Sequence, residues 1–389
     1  MNLETLRMPG GRDVLGILPR IEEALGGGRP VLPCAPMTDP PNVPEHEPDE
    51  LPEGLAVAIG TSGSTGTPKL ALLTGSALRA SAEATHERLS GPGQWVLPVP
   101  AHHVAGLQVL VRSIVAGTVP VVLDLTGGFT ASAFVAAVDP MGTDTAIYTS
   151  LVPTQLLRLL DDYEATEALR RFDAVLIGGA AFPPHLRDRA ALAGVRVVAT
   201  YGMSESAGGC VYDGTPLSGA IVRLEEGGQI SLGGATIAHG YLARPDLTRS
   251  VFTVDEQRVR WFRTDDVGHL DDDGALHVDA RLDDLIVTGG LKVAPRLVEE
   301  ALAAGVPGIR HVVVVGTPDR EWGQSVSAYL VLDPARSPRT PTTAEVRSAL
   351  RGTIPDHALP RRVLTGTTVP LRGPGKADRR AVAALFDVG

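Results

Sequence analysis

The segment best suited to chemistry is a run of hydroxyl residues and glycines that ends in a lysine. It consists of Thr61, Ser62, Gly63, Ser64, Thr65, Gly66, Thr67, Pro68 and Lys69. The glycines permit close approach of the backbone, hydroxyl and N–H groups donate hydrogen bonds, and the lysine adds positive charge. We therefore expect this loop to cradle phosphates. Its spacing differs from that of a Walker A loop, and the alternative is a solvated turn rich in serine and glycine.

This loop resembles, almost letter for letter, the hallmark loop of the adenylate-forming superfamily, which includes acyl-CoA synthetases, firefly luciferases and peptide-synthetase adenylation domains. The resemblance runs from about Leu55 to Lys376 and includes six further segments in the same order. It implies ATP and Mg²⁺, with coenzyme A as co-substrate. It also implies two half-reactions, in which a carboxylate displaces pyrophosphate from ATP and the thiol of coenzyme A then displaces AMP.

A second strong match is the family pattern Y-G-x-[ST]-E at residues 201–205. Tyr201 and Gly202 open this motif, and Ser204 and Glu205 close it. The resemblance implies that Tyr201 stacks on adenine, that Ser204 bonds to the α-phosphate and that Glu205 holds Mg²⁺ through a hard oxygen ligand. The alternative for Glu205 is a carboxylate that only sits at a helix terminus.

Two further segments match the family less specifically, but they occur at the expected places in the order of the family's motifs. Gly179, Ala180 and Ala181 follow a predicted strand and resemble the adenine-binding loop, whose small side chains let a flat base lie against the backbone. His103, three residues before Gly106, matches a family histidine near the acyl and pantetheine site. A simple turn and a structural histidine are the alternative interpretations.

The segment around Asp266 resembles the family pattern [YF]-R-T-G-D, with Asp265 in place of the usual glycine. The resemblance makes Asp266 the ribose ligand, because one carboxylate can accept hydrogen bonds from both ribose hydroxyls. Farther along, Arg281 is implied to reach the ribose, and Asp283 is implied to be the hinge between two domains.

Two later segments are implied to serve different half-reactions. Gly289 and Gly290 would line the pantetheine channel, whereas an ordinary β-hairpin turn is the alternative. Lys376, in a glycine-lysine element, would place its ammonium between the attacking carboxylate and the α-phosphate. The alternative for Lys376 is a solvated lysine in a glycine-proline loop.

The substrate is suggested by residues 201–214 together with Pro216 and Leu217, which resemble the actinobacterial o-succinylbenzoate:CoA ligases of menaquinone biosynthesis. Arg112 and Arg158 are candidate partners for a second substrate carboxylate, or else solvated or paired surface arginines. Three alternatives stay open: a ligase for another aryl or fatty acid, a domain that loads a carrier protein, and a catalytically silent nucleotide-binding relative.

The elements that position these residues follow from the apolar pattern. From Leu55 onward, β-like runs alternate with amphipathic segments, which predicts a largely parallel sheet covered on both faces. Predicted strands lie at residues 56–59, 95–99, 119–123, 144–148, 174–177 and 195–199, and predicted helices at 76–89, 107–116, 154–160 and 183–193. After Gly208, short runs with Gly and Asp-Gly turns predict an antiparallel β region. We expect the proline-rich stretch at 29–52 to lack regular structure.

The fold class is therefore α/β, with a large N-terminal domain of mainly parallel sheets plus a β region and a small, mobile α+β C-terminal domain. We place these domains at residues 1–282 and 283–389. Predicted C-terminal strands lie at 285–287, 312–316 and 327–332, and predicted helices at 295–303 and 343–351. The short segment before the phosphate loop implies that much of the family's usual N-terminal subdomain is missing.

The composition of the chain limits the classes of partner that the protein is expected to bind. The chain has 389 residues, a formal net charge of −10 and two cysteines, Cys34 and Cys210. This charge argues against a broad nucleic-acid surface, and two cysteines exclude a disulfide framework or a thiolate metal site built from this chain. With no membrane-length apolar run or signal-peptide pattern, we expect a cytoplasmic protein that binds a small-molecule carboxylate, ATP and coenzyme A. A homodimer is left open.

Overall fold

The computed structural model describes residues 3–37, 51–61, 69–142, 144–337, 339–372 and 376–387. Its strands are β1 (Glu4–Arg7), β2 (Val31–Cys34), β3 (Leu55–Gly60), β4 (Leu70–Thr74), β5 (Gln94–Leu97), β6 (Val121–Val122), β7 (Ile147–Leu151), β8 (Ala174–Ile177), β9 (Val197–Met203), β10 (Gly208–Tyr212), β11 (Thr215–Pro216), β12 (Ala220–Leu224), β13 (Gln229–Gly234), β14 (Phe252–Val254), β15 (Arg260–Leu270), β16 (Leu276–Arg281), β17 (Ile286–Thr288), β18 (Leu291–Val293), β19 (Ile309–Asp319), β20 (Gly323–Leu332), β21 (Arg362–Gly366), β22 (Leu371–Arg372) and β23 (Lys376–Ala377). Its helices are α1 (Leu18–Leu25), α2 (Gly75–Arg88), α3 (Val104–Ala116), α4 (Ala131–Val138), α5 (Pro153–Leu160), α6 (Tyr163–Arg170), α7 (Pro184–Leu192), α8 (Pro245–Val251), α9 (Pro295–Gly305), α10 (Thr343–Leu350) and α11 (Arg379–Ala384).

The central sheet has the strand order β11-β10-β9-β8-β7-β5-β6. The strands from β9 to β6 are parallel, and β10 and β11 extend the sheet in antiparallel fashion. Alternate residues of β5 face opposite sides: Trp95 and Leu97 join the core cluster that includes Leu110, whereas Val96 packs in the cluster of Phe134 and Phe172. The predicted parallel α/β sheet, with both faces covered, is confirmed.

Several predicted boundaries in this sheet are wrong. The strand predicted at 144–148 begins only at Ile147, whose N–H donates to the Asp173 carboxylate, and the strand predicted at 119–123 is reduced to two residues. Helices α4 and α6 were not predicted, although Thr130 and Asp162 cap their N-termini with side-chain oxygens. The largely apolar α4 lacks a clear polar face, so its sequence does not distinguish a helix from a strand.

The N-terminal sheet has the order β1-β2-β3-β4, in which β4 is antiparallel to β3. The expectation that residues 29–52 lack regular structure is wrong for Val31–Cys34, whose side chains are all buried. Pro33 is accommodated because the β2–β3 ladder is limited to the pair Val31 and Val57, so no N–H from Pro33 is needed there. Residues 38–50 lie outside the described part of the chain.

The predicted antiparallel region is confirmed as a sheet of order β12-β13-β15-β14, with β16 paired to β15. Its β15–β16 turn contains the three consecutive aspartates. Asp271 N–H donates to Ala275 O at 3.0 Å, and Gly274 N–H donates to Asp271 O at 2.9 Å. The run is therefore a solvated hairpin turn, in line with the predicted Asp-Gly turns of this region.

The C-terminal part has its own sheet, of order β18-β17-β20-β19, with β21 paired to β20 in parallel. Helices α9 and α10 contribute to a separate core cluster that contains Val298, Leu302, Val314, Leu330 and Leu350. The division at residues 282 and 283 remains a prediction. Across the described ranges, no helix combines the length and apolar character needed to cross a bilayer.

Candidate active site

The predicted phosphate loop joins the two strands of a β-hairpin. At its base, Thr61 N–H donates to Lys69 O at 2.8 Å, next to the β3–β4 pair Gly60 and Leu70. The chain therefore leaves and re-enters the sheet at adjacent points, with an antiparallel strand rather than a helix after the loop. Its other predicted ligands lie outside the described residues: Ser62, Gly63, Ser64, Thr65, Gly66 and Thr67.

Glu205 is buried and held by a tyrosine that sequence reasoning missed. Tyr241 Oη donates to Glu205 Oε1 at 2.7 Å, and Lys69 Nζ lies 5.4 Å from the centre of the Tyr241 ring. Burial raises the pKa of Glu205, while the Tyr241 hydroxyl and the positive charge of Lys69 oppose that rise. Ser204 Oγ reaches Gly60 O at 3.5 Å, a weak contact that places the 201–205 motif beside the phosphate loop.

Local backbone geometry explains the glycine in this motif. A Cβ on Gly202 would lie 2.0 Å from Gly208 O, so the approach of β9 to β10 requires glycine here. Beyond the short 3₁₀ turn Ser204–Ser206, Ala207 adopts a left-handed conformation with φ of 54°. This turn aims Glu205 inward, where its carbonyl also accepts from Ala238 N–H at 2.8 Å.

A second carboxylate, the partly buried Asp266, has the same kind of partner. Tyr201 Oη donates to Asp266 Oδ2 at 2.7 Å. Arg281 lies opposite Asp266 in the β15–β16 ladder, and its Nε is 3.9 Å from Asp266 Oδ1. Burial raises the pKa of Asp266, and both Tyr201 and Arg281 oppose that rise. The structure thus brings together three predicted nucleotide ligands.

Arg281 also links this carboxylate to the predicted hinge. Its Nε donates to Asp283 Oδ1 at 3.0 Å, and its Nη2 lies 3.6 Å from Asp265 Oδ2. Asp265, which replaces the family glycine, lies within β15 with its side chain 64% exposed. The substitution therefore adds an exposed charge near Arg281, while Asp266 is only 15% exposed.

The predicted adenine loop lines a cleft of about 1780 Å³ between the central sheet and the C-terminal part. Gly179, Ala180 and Ala181 contribute one wall, together with Arg281 and Asp283. The lining also includes Leu371 and Ala377, which pair with each other in the β22–β23 hairpin that bears Lys376. The cleft therefore has room for a ligand between the predicted adenine loop and this hairpin.

Other predicted site residues lie in defined positions without a demonstrated ligand role. His103 occupies the N-cap position of α3, with its ring centre 4.3 Å from that of His102. Gly289 and Gly290 form the two-residue turn of the β17–β18 hairpin, with φ of 56° and 79°. Both positive angles fit a tight hairpin turn. The backbone of Lys376 pairs with Arg372, and its side chain lies outside the described part.

Arg112 and Arg158 have different environments. Arg158 is exposed and lines the large cleft. Arg112 is only 3% exposed, donates from Nη2 to Tyr212 Oη at 3.2 Å and stacks over Trp95 at 4.8 Å. Burial lowers the pKa of Arg112. Among the described side chains, its Nε has no hydrogen-bond partner.

Two carboxylates each accept a hydrogen bond from a tyrosine, and a cleft separates the central sheet from a separate C-terminal sheet. This arrangement fits the class of adenylate-forming enzymes that the sequence resembles. Residues 28–242 match the model of the AMP-binding enzyme family, and residues 298–376 match that of the AMP-binding enzyme C-terminal domain. The chain belongs to the AMP-binding enzyme family, the adenylate-forming acyl-CoA ligases. This confirms the family resemblance found in the sequence.

Similar proteins cover nearly the whole chain. The probable 2-succinylbenzoate–CoA ligase of Mycobacterium tuberculosis (strain CDC 1551 / Oshkosh) is 42% identical over 394 residues, covering 99% of this chain and 98% of the relative. The solved structure of Escherichia coli MenE with a phenylether-linked OSB-AMS analogue has a TM-score of 0.73 and 25% identity, covering 100% of this chain and 88% of that one. Bacillus subtilis o-succinylbenzoate CoA synthetase with OSB-AMP has a TM-score of 0.71 and 24% identity, covering 84% and 69%.

Proposed function

We propose that this chain is a 2-succinylbenzoate:CoA ligase of menaquinone biosynthesis; 2-succinylbenzoate is the o-succinylbenzoate named above. The observation that carries the proposal is the 42% identity to a probable ligase of this kind along almost the full length of both chains. The paired carboxylates Glu205 and Asp266, each held by a tyrosine hydroxyl, support an active nucleotide site rather than a silent one.

In the first half-reaction, the substrate carboxylate attacks the α-phosphorus of ATP and pyrophosphate leaves. Lys69 contributes positive charge beside the phosphate loop, and Ser204 stands at its base. Asp266 accepts from the ribose hydroxyls and is oriented by Tyr201. Because these groups are fixed before the reaction, they stabilise developing charge with little reorganisation.

We assign Glu205 as a ligand for Mg²⁺, which would arrive with ATP and neutralise charge on its phosphates. The residues fit such an ion, because Mg²⁺ prefers oxygen ligands and is commonly held by one or two carboxylates plus substrate phosphates. Within the described residues, no group of three or more His, Cys, Asp or Glu could hold a metal ion. A single carboxylate beside a phosphate site is consistent with an ion shared with ATP.

The second half-reaction needs a different arrangement of the C-terminal part. The resemblance puts Lys376 and Gly290 on opposite faces of that part, so one orientation cannot serve both. We infer that residues 283–389 turn as a unit about Asp283, bringing Gly289 and Gly290 towards the thiol of coenzyme A after the acyl-adenylate forms.

Arg112 is our candidate for the substrate carboxylate that is not activated. Val104, Gln108 and Arg112 repeat every four residues and so share one face of α3. That face lies towards the start of β10: Gln108 Nε2 donates to Ala207 O at 2.7 Å, and a Cβ on Gly208 would meet both Val104 and Gln108. Among the described side chains, Gln108 Oε1 and Arg112 Nε lack hydrogen-bond partners. A buried guanidinium is costly unless paired, and a substrate carboxylate would supply the partner.

The decisive experiment supplies the protein with ATP, Mg²⁺, coenzyme A and 2-succinylbenzoate and looks for the thioester by mass. A panel that includes 4-oxo-4-phenylbutanoate, which lacks the ring carboxylate, distinguishes this function from that of a ligase for another acid. We expect wild type to favour 2-succinylbenzoate and Arg112→Met to lose that preference by about 100-fold, because a buried charge loses its partner. Arg158→Met, at the other candidate arginine, should keep the preference, and Arg249→Met, at an exposed arginine outside the cleft lining, is the control. Failure of acid-dependent pyrophosphate release with every acid would favour a silent nucleotide-binding protein.

A further inference from the structure

Arg379 makes polar contacts with Glu299, Val314 and Asp284 in the C-terminal part, and no step assigned above uses it. Its Nη1 donates to Glu299 Oε1 at 2.7 Å, its Nη2 to Glu299 Oε2 at 3.3 Å, and Nη1 also donates to Val314 O. Its Nε lies 3.5 Å from Asp284 Oδ2. Burial raises the pKa of Asp284 and Arg379 opposes that rise, so the arginine favours the ionised carboxylate.

On one side, Arg379 adjoins the hairpin that bears Lys376. The β22–β23 ladder pairs Leu371 with Ala377 and Arg372 with Lys376. Asp378 then closes the base of the hairpin, since its N–H donates to Pro370 O at 2.8 Å. The side chain of Asp378 caps α11, which begins at Arg379. Only two residues therefore separate Lys376 from the anchored guanidinium.

On the other side, Arg379 reaches the predicted hinge. Its partner Asp284 directly follows Asp283, which in turn accepts from Arg281 at 3.0 Å. Arg281 is the cross-strand neighbour of the nucleotide ligand Asp266. Two sets of ion pairs, one of Arg281 with Asp266 and Asp283 and one of Arg379 with Asp284, therefore meet at the adjacent residues Asp283 and Asp284.

The position of α11 does not depend on Arg379 alone. Val382 and Phe386 are buried in an apolar cluster with Val313, Val315 and Tyr329. This cluster keeps the helix packed against β19 whether or not the arginine is present. A change at Arg379 is therefore expected to alter the placement of the hairpin while leaving the C-terminal fold in place.

We propose that Arg379 is a positioning residue for the adenylation half-reaction, in which its ion pairs with Asp284 and Glu299 fix the Lys376 hairpin relative to the hinge. The inference rests on the proposed function, because it takes Lys376 to act in adenylation and not in thioester formation. It goes further by assigning the placement of Lys376 to a partly buried ion pair with the residue next to the hinge.

The test measures both half-reactions in Arg379→Met. We expect kcat for acid-dependent pyrophosphate release to fall by about 10- to 100-fold, the range for a small misplacement of a reacting group, with KM for ATP unchanged. Conversion of supplied acyl-adenylate by coenzyme A should stay within about twofold of wild type. Arg379→Lys keeps the charge but not the forked geometry, so it should recover part of the lost kcat. Arg351→Met, at an exposed arginine of the same part, is the control and should match wild type.

A double variant separates positioning from general stability. If Asp284→Asn acts through the same contact, combining it with Arg379→Met should cost little more than Arg379→Met alone. Equal loss of both half-reactions, or full adenylation by Arg379→Met, would overturn the inference. If Arg379→Met does not fold, Asp284→Asn and Arg379→Lys carry the same test. An inactive wild type would instead point to failure of the proposed function.

Discussion

Replacing Tyr241 with phenylalanine tests the magnesium assignment most directly. The change removes the hydroxyl that donates to Glu205 Oε1 at 2.7 Å, while the ring beneath Lys69 is kept. Glu205 is only 7% exposed, so water does not readily replace the lost donor. A hydrogen bond to a charged group contributes about 1.5–3 kcal/mol. That range corresponds to a loss of roughly 10- to 150-fold in a rate or binding constant.

We expect this loss in kcat/KM for Mg·ATP, measured by pyrophosphate release at saturating acid over a range of magnesium concentrations. The pH profile should change as well. Burial already raises the pKa of Glu205, and the Tyr241 hydroxyl lowers it. Without that hydroxyl the pKa rises further, so Glu205 becomes protonated at higher pH. The decline in activity on acidification should therefore begin at higher pH in Tyr241→Phe than in wild type.

The matched control is Tyr148→Phe. It also removes the hydroxyl of a buried tyrosine, but Tyr148 does not belong to the 201–205 motif. Tyr148 Oη donates to Gly91 O at 3.0 Å. Its loss should lower stability without changing the magnesium dependence. If Tyr241→Phe retains wild-type kcat/KM and an unshifted pH profile, Glu205 is not the oxygen ligand that we infer.

Two further predictions concern the half-reactions and the buried histidine. Lys376→Ala should lose pyrophosphate release yet still convert supplied acyl-adenylate, and Gly290→Leu should show the reverse; equal loss of both activities in both variants would contradict two orientations of the C-terminal part. Burial and Arg112 lower the pKa of His86 from 6.5 to about 4. Its neutral form is therefore favoured on folding, and the stability it contributes is present above pH 6.5 and lost as pH falls towards 4. At about 1.4 kcal/mol per pKa unit, this difference is on the order of 3 kcal/mol in the free energy of unfolding. Urea unfolding at several pH values should therefore show that the free energy of unfolding falls less steeply on acidification in His86→Gln than in wild type. Parallel declines in the two proteins would refute this prediction.

Sequence reasoning located the carboxylates but not the groups that hold them. Glu205 and Asp266 lie in short motifs whose order along the chain can be read directly. Tyr241 lies 36 residues beyond Glu205 and reaches it because residues 239–242 pair with β4, where Leu72 N–H donates to Gly240 O at 2.9 Å. That pairing depends on β4 being an antiparallel strand, which the sequence analysis did not predict. A lone tyrosine carries no local signal of such a distant contact.

Arg112 shows the same limitation in another form. Its sequence position allowed either a surface arginine or a substrate ligand, because a helix of mostly apolar residues does not reveal which face meets which strand. Only packing of α3 against the start of β10 places the guanidinium in the interior with Trp95 and Tyr212. The buried strand Val31–Cys34 was likewise missed, because Pro33 argued against a strand more strongly than the three other apolar or small side chains argued for one.

A tyrosine hydroxyl suits Glu205 and Asp266 as a partner for a chemical reason that does not apply to a basic side chain. Tyr241 and Tyr201 each donate at 2.7 Å, to Glu205 and Asp266 respectively, and so orient the carboxylate without neutralising it. A lysine or arginine within hydrogen-bonding distance would compete with a cation or a ribose hydroxyl for the same oxygens. Arg281 Nε, at 3.9 Å from Asp266 Oδ1, lies beyond that distance. Burial raises the pKa of both carboxyl groups, because the charged form loses hydration in the interior. We expect ligands that donate to or coordinate the free oxygens to offset this effect of burial, so that binding of the nucleotide and binding of Mg²⁺ favour each other.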